Sequence, residues 1–438
     1  MDILIKASQL ILSLSILVIL HELGHFIPAK LFKTRVEKFY LFFDPWFSLV
    51  KKKIGDTEYG IGWLPLGGYV KISGMIDESM DKDQMKKPAE DWEFRAKPAW
   101  QRLIIMLGGV TVNLLLGIFI YSMILFTWGD SYLPNDSVVD GVICSDFAKE
   151  SGFQNGDKII SIDGEEADRF LDINENMVLR DESFVVVVKR GIKEVSVPIG
   201  ENFIKHWKNN GKNLLFSPRT IVKIDDFLPN SNAKKAGLLK GDLLISVDGV
   251  TIKYFDEVTK ELQNHKSKMV NIGILRDGKK LEFPVQVTGK SMIGFTHSNS
   301  VLDFTTKEFG LISSFPAGYN LAVKKLGGYI DQFALIFNSD NDLGGELGGF
   351  GAIGSLFPST WNWHSFWSLT AFLSLMLAFM NLLPIPALDG GHVMFLLYEI
   401  VVGKSAPEKV MEYAQMVGMI LLLGLLVFAN GNDILRLF

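Results

Sequence analysis

The stretch ILVILHELGHF, Ile16–Phe26, sets two histidines and a glutamate inside the most apolar part of the N-terminal region. Ionisable groups within a membrane span are costly, so a function must hold them there. On a helix, His21 and His25 lie about one turn apart on one face, where both imidazoles can reach one ion. Glu22 is turned away from them by one residue, yet stays close enough to an ion-held water to accept its proton. Zinc suits two imidazoles with a hard co-ligand, and it needs a third protein ligand and one position left open to water. The stretch therefore predicts a hydrolytic zinc site at the end of an apolar span.

The composition agrees with a membrane protein. The chain has 438 residues, 48% hydrophobic and 21% charged, which suggests apolar spans joined to polar domains. Four segments approach the ~20 apolar residues that cross a bilayer: Ile3–Leu20, which continues through the motif, Leu103–Trp128, Phe366–Leu383 and Met411–Phe428. The first has one basic residue ahead of its apolar core and no small-residue cleavage site after it, so a retained helix is expected rather than a signal peptide. The net charge of -5 gives no case for nucleic acid, and the single cysteine, Cys144, excludes an internal disulfide and a multi-thiolate zinc site. Lys30, Lys33, Arg35 and Lys38 follow the first span, and Arg95, Lys97 and Arg102 precede the second. By the positive-inside rule that loop is cytoplasmic, and both termini lie on the other side with the region between spans two and three.

That region contains a repeat. FAKESGFQNGDKIISIDGEE (Phe147–Glu166) aligns with NAKKAGLLKGDLLISVDGVT (Asn232–Thr251), pairing Gly152 with Gly237, Asp157 with Asp242 and Asp163-Gly164 with Asp248-Gly249. Each copy reads as a short helix, a Gly-Asp turn, an apolar strand and an Asp-Gly hairpin turn. The period is too long for a solenoid, so two tandem small domains are expected. The pattern resembles the PDZ domain in its circularly permuted bacterial form. His206, His265 and His297 stand alone in sequence and read as surface or packing residues.

The remaining connections are less regular. Helical spacing after the second repeat predicts short amphipathic helices, either lying on the membrane surface or packed as a soluble helix pair, and Leu343–Gly354 is too glycine-rich for a stable helix. In the cytoplasmic loop, YGIGWLPLGGYVKISGM (Tyr59–Met75) reads as strands joined by a tight turn at Gly67-Gly68. Non-helical backbone at membrane depth is tolerated where it lines a cavity, so this β-structured loop is expected to dip toward the site. Gly67, Gly68, Tyr69 and Val70 would then hold substrate extended by strand addition. The acidic and basic stretch from Asp77 to Arg102 reads as solvated.

NLLPIPALDGGH (Asn381–His392) closes the third span and offers Asn381, Asp389 and His392 for the third ligand. Taken alone, Asp389 could equally be a helix-capping aspartate. The combination of HExxH in the first span, LDG after the third, four spans and tandem PDZ-like repeats resembles the site-2 protease family over essentially the whole chain. The resemblance implies that His21, His25 and Asp389 bind one zinc ion, that Glu22 is the general base, and that Asn381 helps bind substrate or the tetrahedral intermediate. His392, although chemically able, is not assigned a ligand role by that pattern. The family's Gly-Pro-x-x-Asn run is here GVTVN (Gly109–Asn113), with Val110 for the proline and Asn113 retained, grouped with Asn381 at the substrate.

The expected fold is a polytopic α-helical membrane protein with four transmembrane helices, a membrane-associated β-loop and two tandem extracytoplasmic PDZ domains. Its divisions are the first span (1–31), a cytoplasmic loop with a β-hairpin region (32–100), the second span (101–129), two PDZ domains (130–218 and 219–298), an amphipathic and Gly-rich membrane-surface region (299–363), the third span with LDG (364–391) and the fourth span with the C-terminus (392–438). The resemblance further implies a bacterial inner-membrane endopeptidase acting on single-span proteins already cut by a first-site protease, anti-sigma factors among them, and on remnant signal peptides. Two other readings compete. A protease-dead PDZ scaffold is disfavoured because every metal and base residue is present, and a metal transporter is disfavoured because repeated intramembrane acids or histidines are missing.

Overall fold

The computed structural model describes residues 2–65, 67–75, 88–178, 180, 182–201, 203–209, 214–297, 302–337 and 348–436. It divides into two compact units, one formed by Met1–Gly129 with Glu308–Phe438, the other by Asp130–Lys307.

In the first unit, helix α1 (Asp2–Leu31) runs without interruption through the HELGH motif. Four strands follow: β1 (Val36–Leu41), β2 (Phe43–Ile54), β3 (Thr57–Leu64) and β4 (Tyr69–Ile72). They form one sheet in the order β2-β3-β1-β4. This corrects the expected hairpin at Gly67-Gly68. The strands on either side of that turn both pair with β1, β3 parallel and β4 antiparallel, while the true hairpin joins β2 to β3. β4 is consequently an edge strand.

The stretch before the second span is partly anchored rather than solvated. Trp92 O accepts from Arg35 N and Ser73 O from Phe94 N, and Glu93 and Phe94 are buried. Residues 76–87 of that stretch lie outside the described residues.

Helix α2 (Ala99–Trp128) passes straight through Val110. It crosses α1 where two glycines meet: a Cβ on Gly24 would stand 2.6 Å from the Gly108 carbonyl carbon. Small residues at such a crossing let backbones approach, which is how membrane helices gain packing contact in a solvent as apolar as themselves.

The chain returns to this unit in α3 (Leu311–Phe337), a single 27-residue helix. The expected short surface helices are thus replaced by one helix laid against α2, with Gly318 backed onto Ser122 and Ala322 buried beside Ile124. α4 (Phe350–Leu356) corrects the glycine-rich loop in its second half. Asp433 accepts from the backbone N–H of Gly349 and Ala352, and Asn430 from that of Phe350, so tertiary partners supply what the glycines cannot. Residues 343–347 lie outside the described residues.

α5 (Trp363–Leu382) is the third span. The LDG motif then opens a separate helix, α6 (Asp389–Val402), which ends at left-handed Gly403 before α7 (Glu408–Leu435). α7 contains Met411–Phe428, the segment read as the fourth span, and α6 precedes it as a helix of its own. Among the described residues, α1, α2, α5 and α7 are the helices long and apolar enough to cross a membrane.

The second unit contains two lobes of one topology. The first has β5 (Lys158–Ile162), β6 (Glu165–Glu166), β7 (Phe184–Arg190) and β8 (Lys193–Ile199), ordered β8-β7-β5-β6. The second has β9 (Leu243–Val247), β10 (Val250–Thr251), β11 (Met269–Arg276) and β12 (Lys279–Gln286), ordered β12-β11-β9-β10. The Asp-Gly turns hold positive φ at both residues in each lobe, as a type I′ hairpin requires.

The repeated Gly-Asp is also an ion-pair device. Arg190 grips buried Asp157, and Arg276 grips buried Asp242, each through two guanidinium nitrogens. The same aspartates accept from the backbone N–H of Gln154 and Leu239. Of the isolated histidines, His265 faces Asp248 and Glu261, and His297 stacks on Phe255.

Candidate metal and peptidase site

Helix α1 projects His21, Glu22 and His25 into the first unit, all largely buried. His25 Nδ1 donates to the Ile105 carbonyl of α2 at 2.8 Å, so its Nε2 is left as a bare lone pair. That nitrogen lies 3.3 Å from His21 Nε2, and Asp389 Oδ2 lies 3.3 Å from each of them. Asp389 arrives there because the chain turns sharply after α5. Gly390 and Gly391 sit against the carbonyls of Leu382 and Ile385, where a Cβ would not fit, and Ala387 takes a left-handed φ of 81°.

The capping alternative for Asp389 fails. Leu388 is the N-cap of α6, and Asp389 Oδ2 has no hydrogen-bond partner among the described residues although it is buried. Three electron-rich atoms converging on one point repel unless a cation lies among them. A tetrahedral zinc bound at ~2.0 Å separates its ligands by roughly 3.3 Å, which is the spacing found. These three side chains form the one cluster among the described residues able to hold a metal. His392 is not in it and instead lines a cavity of about 380 Å³ with Phe395, Glu399 and Arg102.

Around the cluster, Asn381 Nδ2 stands 3.4 Å from His21 Nε2, on the metal-facing side. Asn113 is fully buried and meets the opposite ring nitrogen, Nδ1, at 3.0 Å. Gly68 leads into the edge strand β4, and a Cβ there would lie 3.6 Å from Glu22 Cγ. Gly67 approaches the Phe43 ring, while Tyr69 donates to Asp44 and Val70 pairs with Phe39. Two residues at the site had been given no role in it. Gly109 lies flat against both imidazoles, and Ile105 supplies the carbonyl for His25; glycine one turn ahead of Asn113 was the signal for the first, and a backbone carbonyl leaves none.

Comparison with known proteins decides the class. Residues 9–425 match the model of peptidase family M50. The chain belongs to peptidase family M50. It is an intramembrane zinc metalloendopeptidase of the site-2 type. The chain is similar to the regulator of sigma-E protease RseP of Escherichia coli, 26% identical over 98% of each chain. It is 27% identical to the regulator of sigma E protease of Haemophilus influenzae over the whole of both, and 26% identical to metalloprotease MmpA of Caulobacter vibrioides over 99% and 96%. A full-length relative in Vibrio cholerae, 27% identical, carries zinc metalloprotease in its name. Zinc is thus the metal of this M50 peptidase.

Proposed function

We propose that this M50 peptidase makes the second cut in single-span membrane proteins whose outer part has already been removed, anti-sigma factors and remnant signal peptides being the substrate types. The converging triangle of His21 Nε2, His25 Nε2 and Asp389 Oδ2 beside Glu22 carries this reading. These three residues would hold a single zinc ion. An ion held there would supply Lewis acidity toward the scissile carbonyl and the attacking water.

Glu22 takes the proton from that water and delivers it to the nitrogen of the leaving amine. The Asn381 amide donates to the carbonyl oxygen as negative charge develops on it. A helical substrate hides its carbonyls in i→i−4 hydrogen bonds, so it must unwind before it can be cut. The edge of β4, entered through Gly67-Gly68 and continuing through Tyr69 and Val70, takes the unwound segment as an added strand next to Glu22.

The basic residues between the first two spans set the HELGH end of α1 toward the cytoplasm, with both termini and the inserted unit outside. The two lobes of that unit are read as PDZ domains, and their shared strand order and repeated Asp-Arg pair support one fold for both; their role is that of a size filter. The test is Glu22→Gln in the full chain. The variant should retain zinc and lose cleavage of a model transmembrane substrate by ~10²–10⁴-fold. Cleavage at the wild-type rate with normal metal content overturns the reading.

A further inference from the structure

We propose that Asn113 is a positioning residue for the metal centre: its side-chain carbonyl accepts the Nδ1 proton of His21 and fixes the tautomer in which Nε2 faces the ion. This rests on the assignment of His21 as a ligand through Nε2. A neutral imidazole that offers one nitrogen to a metal carries its proton on the other, and that N–H needs an acceptor. For His25 the acceptor is the Ile105 carbonyl. For His21 the one group within hydrogen-bond distance of Nδ1 among the described residues is the amide of Asn113, 3.0 Å away and fully buried.

Asn113 Nδ2 is the amide atom at His21 Nδ1, while Oδ1 is buried with no partner among the described residues. Oxygen and nitrogen of a side-chain amide are told apart by their hydrogen bonds, not by their outline. Turning the amide over brings Oδ1 to the His21 N–H, which gives the proton its acceptor and the orphaned oxygen its donor in one step. The backbone is held for this role. Ser374 of α5 donates its hydroxyl to the Asn113 carbonyl at 2.7 Å, and Gly109, one turn earlier on α2, keeps the helix pressed to the rings.

Asn113 thus stands behind His21, away from the face where Asp389 and Asn381 lie. Its earlier grouping with Asn381 at the substrate gives way to a role in metal retention.

The test is zinc retention against a chelator, measured on the purified full chain with Asn113→Leu, Asn113→Asp and His21→Ala. Asn113→Leu keeps the shape and an apolar surface suited to the span but has no acceptor, and should bind zinc ~10–100-fold more weakly. Asn113→Asp has acceptors and no donor, and should hold zinc at least as tightly as the wild type. If Asn113→Asp is as weak as Asn113→Leu, the amide acts as a donor and the assignment is overturned. It is equally overturned if Asn113→Leu retains zinc like the wild type while His21→Ala loses it. Full retention by His21→Ala would instead remove the underlying ligand assignment.

Discussion

Gly109 lies against His21 so closely that a Cβ built on it would be 2.6 Å from the imidazole Cε1 and also overlap His25. The second span thereby forms a flat backbone floor under both rings. Gly109→Ala should strengthen the helix by about 1 kcal/mol on propensity alone, yet it should weaken zinc binding because the rings must move. Chelator competition and thermal unfolding, run on one sample, check this. Unchanged zinc affinity would mean that the floor does not position the ligands.

Asp389 and His392 are three residues apart in sequence, but only the first faces the imidazoles. Asp389→Ala should lose zinc and activity together, since it removes the proposed third ligand. His392→Ala should keep its zinc. Metal analysis of the two purified variants decides between them, and the reverse pattern would reassign the third ligand.

Gly68 marks where the edge strand meets Glu22, the proposed base. A side chain there collides with the Tyr40 carbonyl oxygen and Val18 Cγ1, both 2.6 Å from the Cβ position, before it reaches Glu22. Gly68→Val should displace the loop by about an ångström and lower cleavage on the order of 10²-fold, with zinc content intact. If cleavage is unaffected, β4 is not where the substrate strand is held.

The inserted unit, Asp130–Lys307, begins and ends in one antiparallel pair, Asp130–Tyr132 with Thr305–Lys307. Its two ends are therefore adjacent, and a short linker can replace it. Deletion should permit cleavage of substrates that keep an intact outer domain, while pre-trimmed substrates are cut at a similar rate. A side-by-side assay of both substrates gives the answer. Loss of both activities would assign the unit to folding or recruitment instead of size exclusion.

What was legible in the amino-acid order was what local periodicity and chemistry dictate. Helical spacing put His21 and His25 on one face, apolar length marked the four spans, and the Gly-Asp…Asp-Gly repeat announced two like lobes. Each of these depends on residues within a turn or two, or on composition over ~20 residues. The arrangement of β4 was not legible, because Gly67-Gly68 is compatible with a hairpin and only pairing with distant β1 decides otherwise. Nor was the helix at Phe350, whose first N–H groups are satisfied by Asn430 and Asp433 some eighty residues later. The choice of Asp389 over a capping role also came from tertiary structure, since it requires α1 and the turn before α6 to meet. Sequence by itself determined which groups could bind a metal; packing between helices far apart in the chain decided which of them share one point, because a ligand set is a matter of three-dimensional distance and no local pattern encodes it.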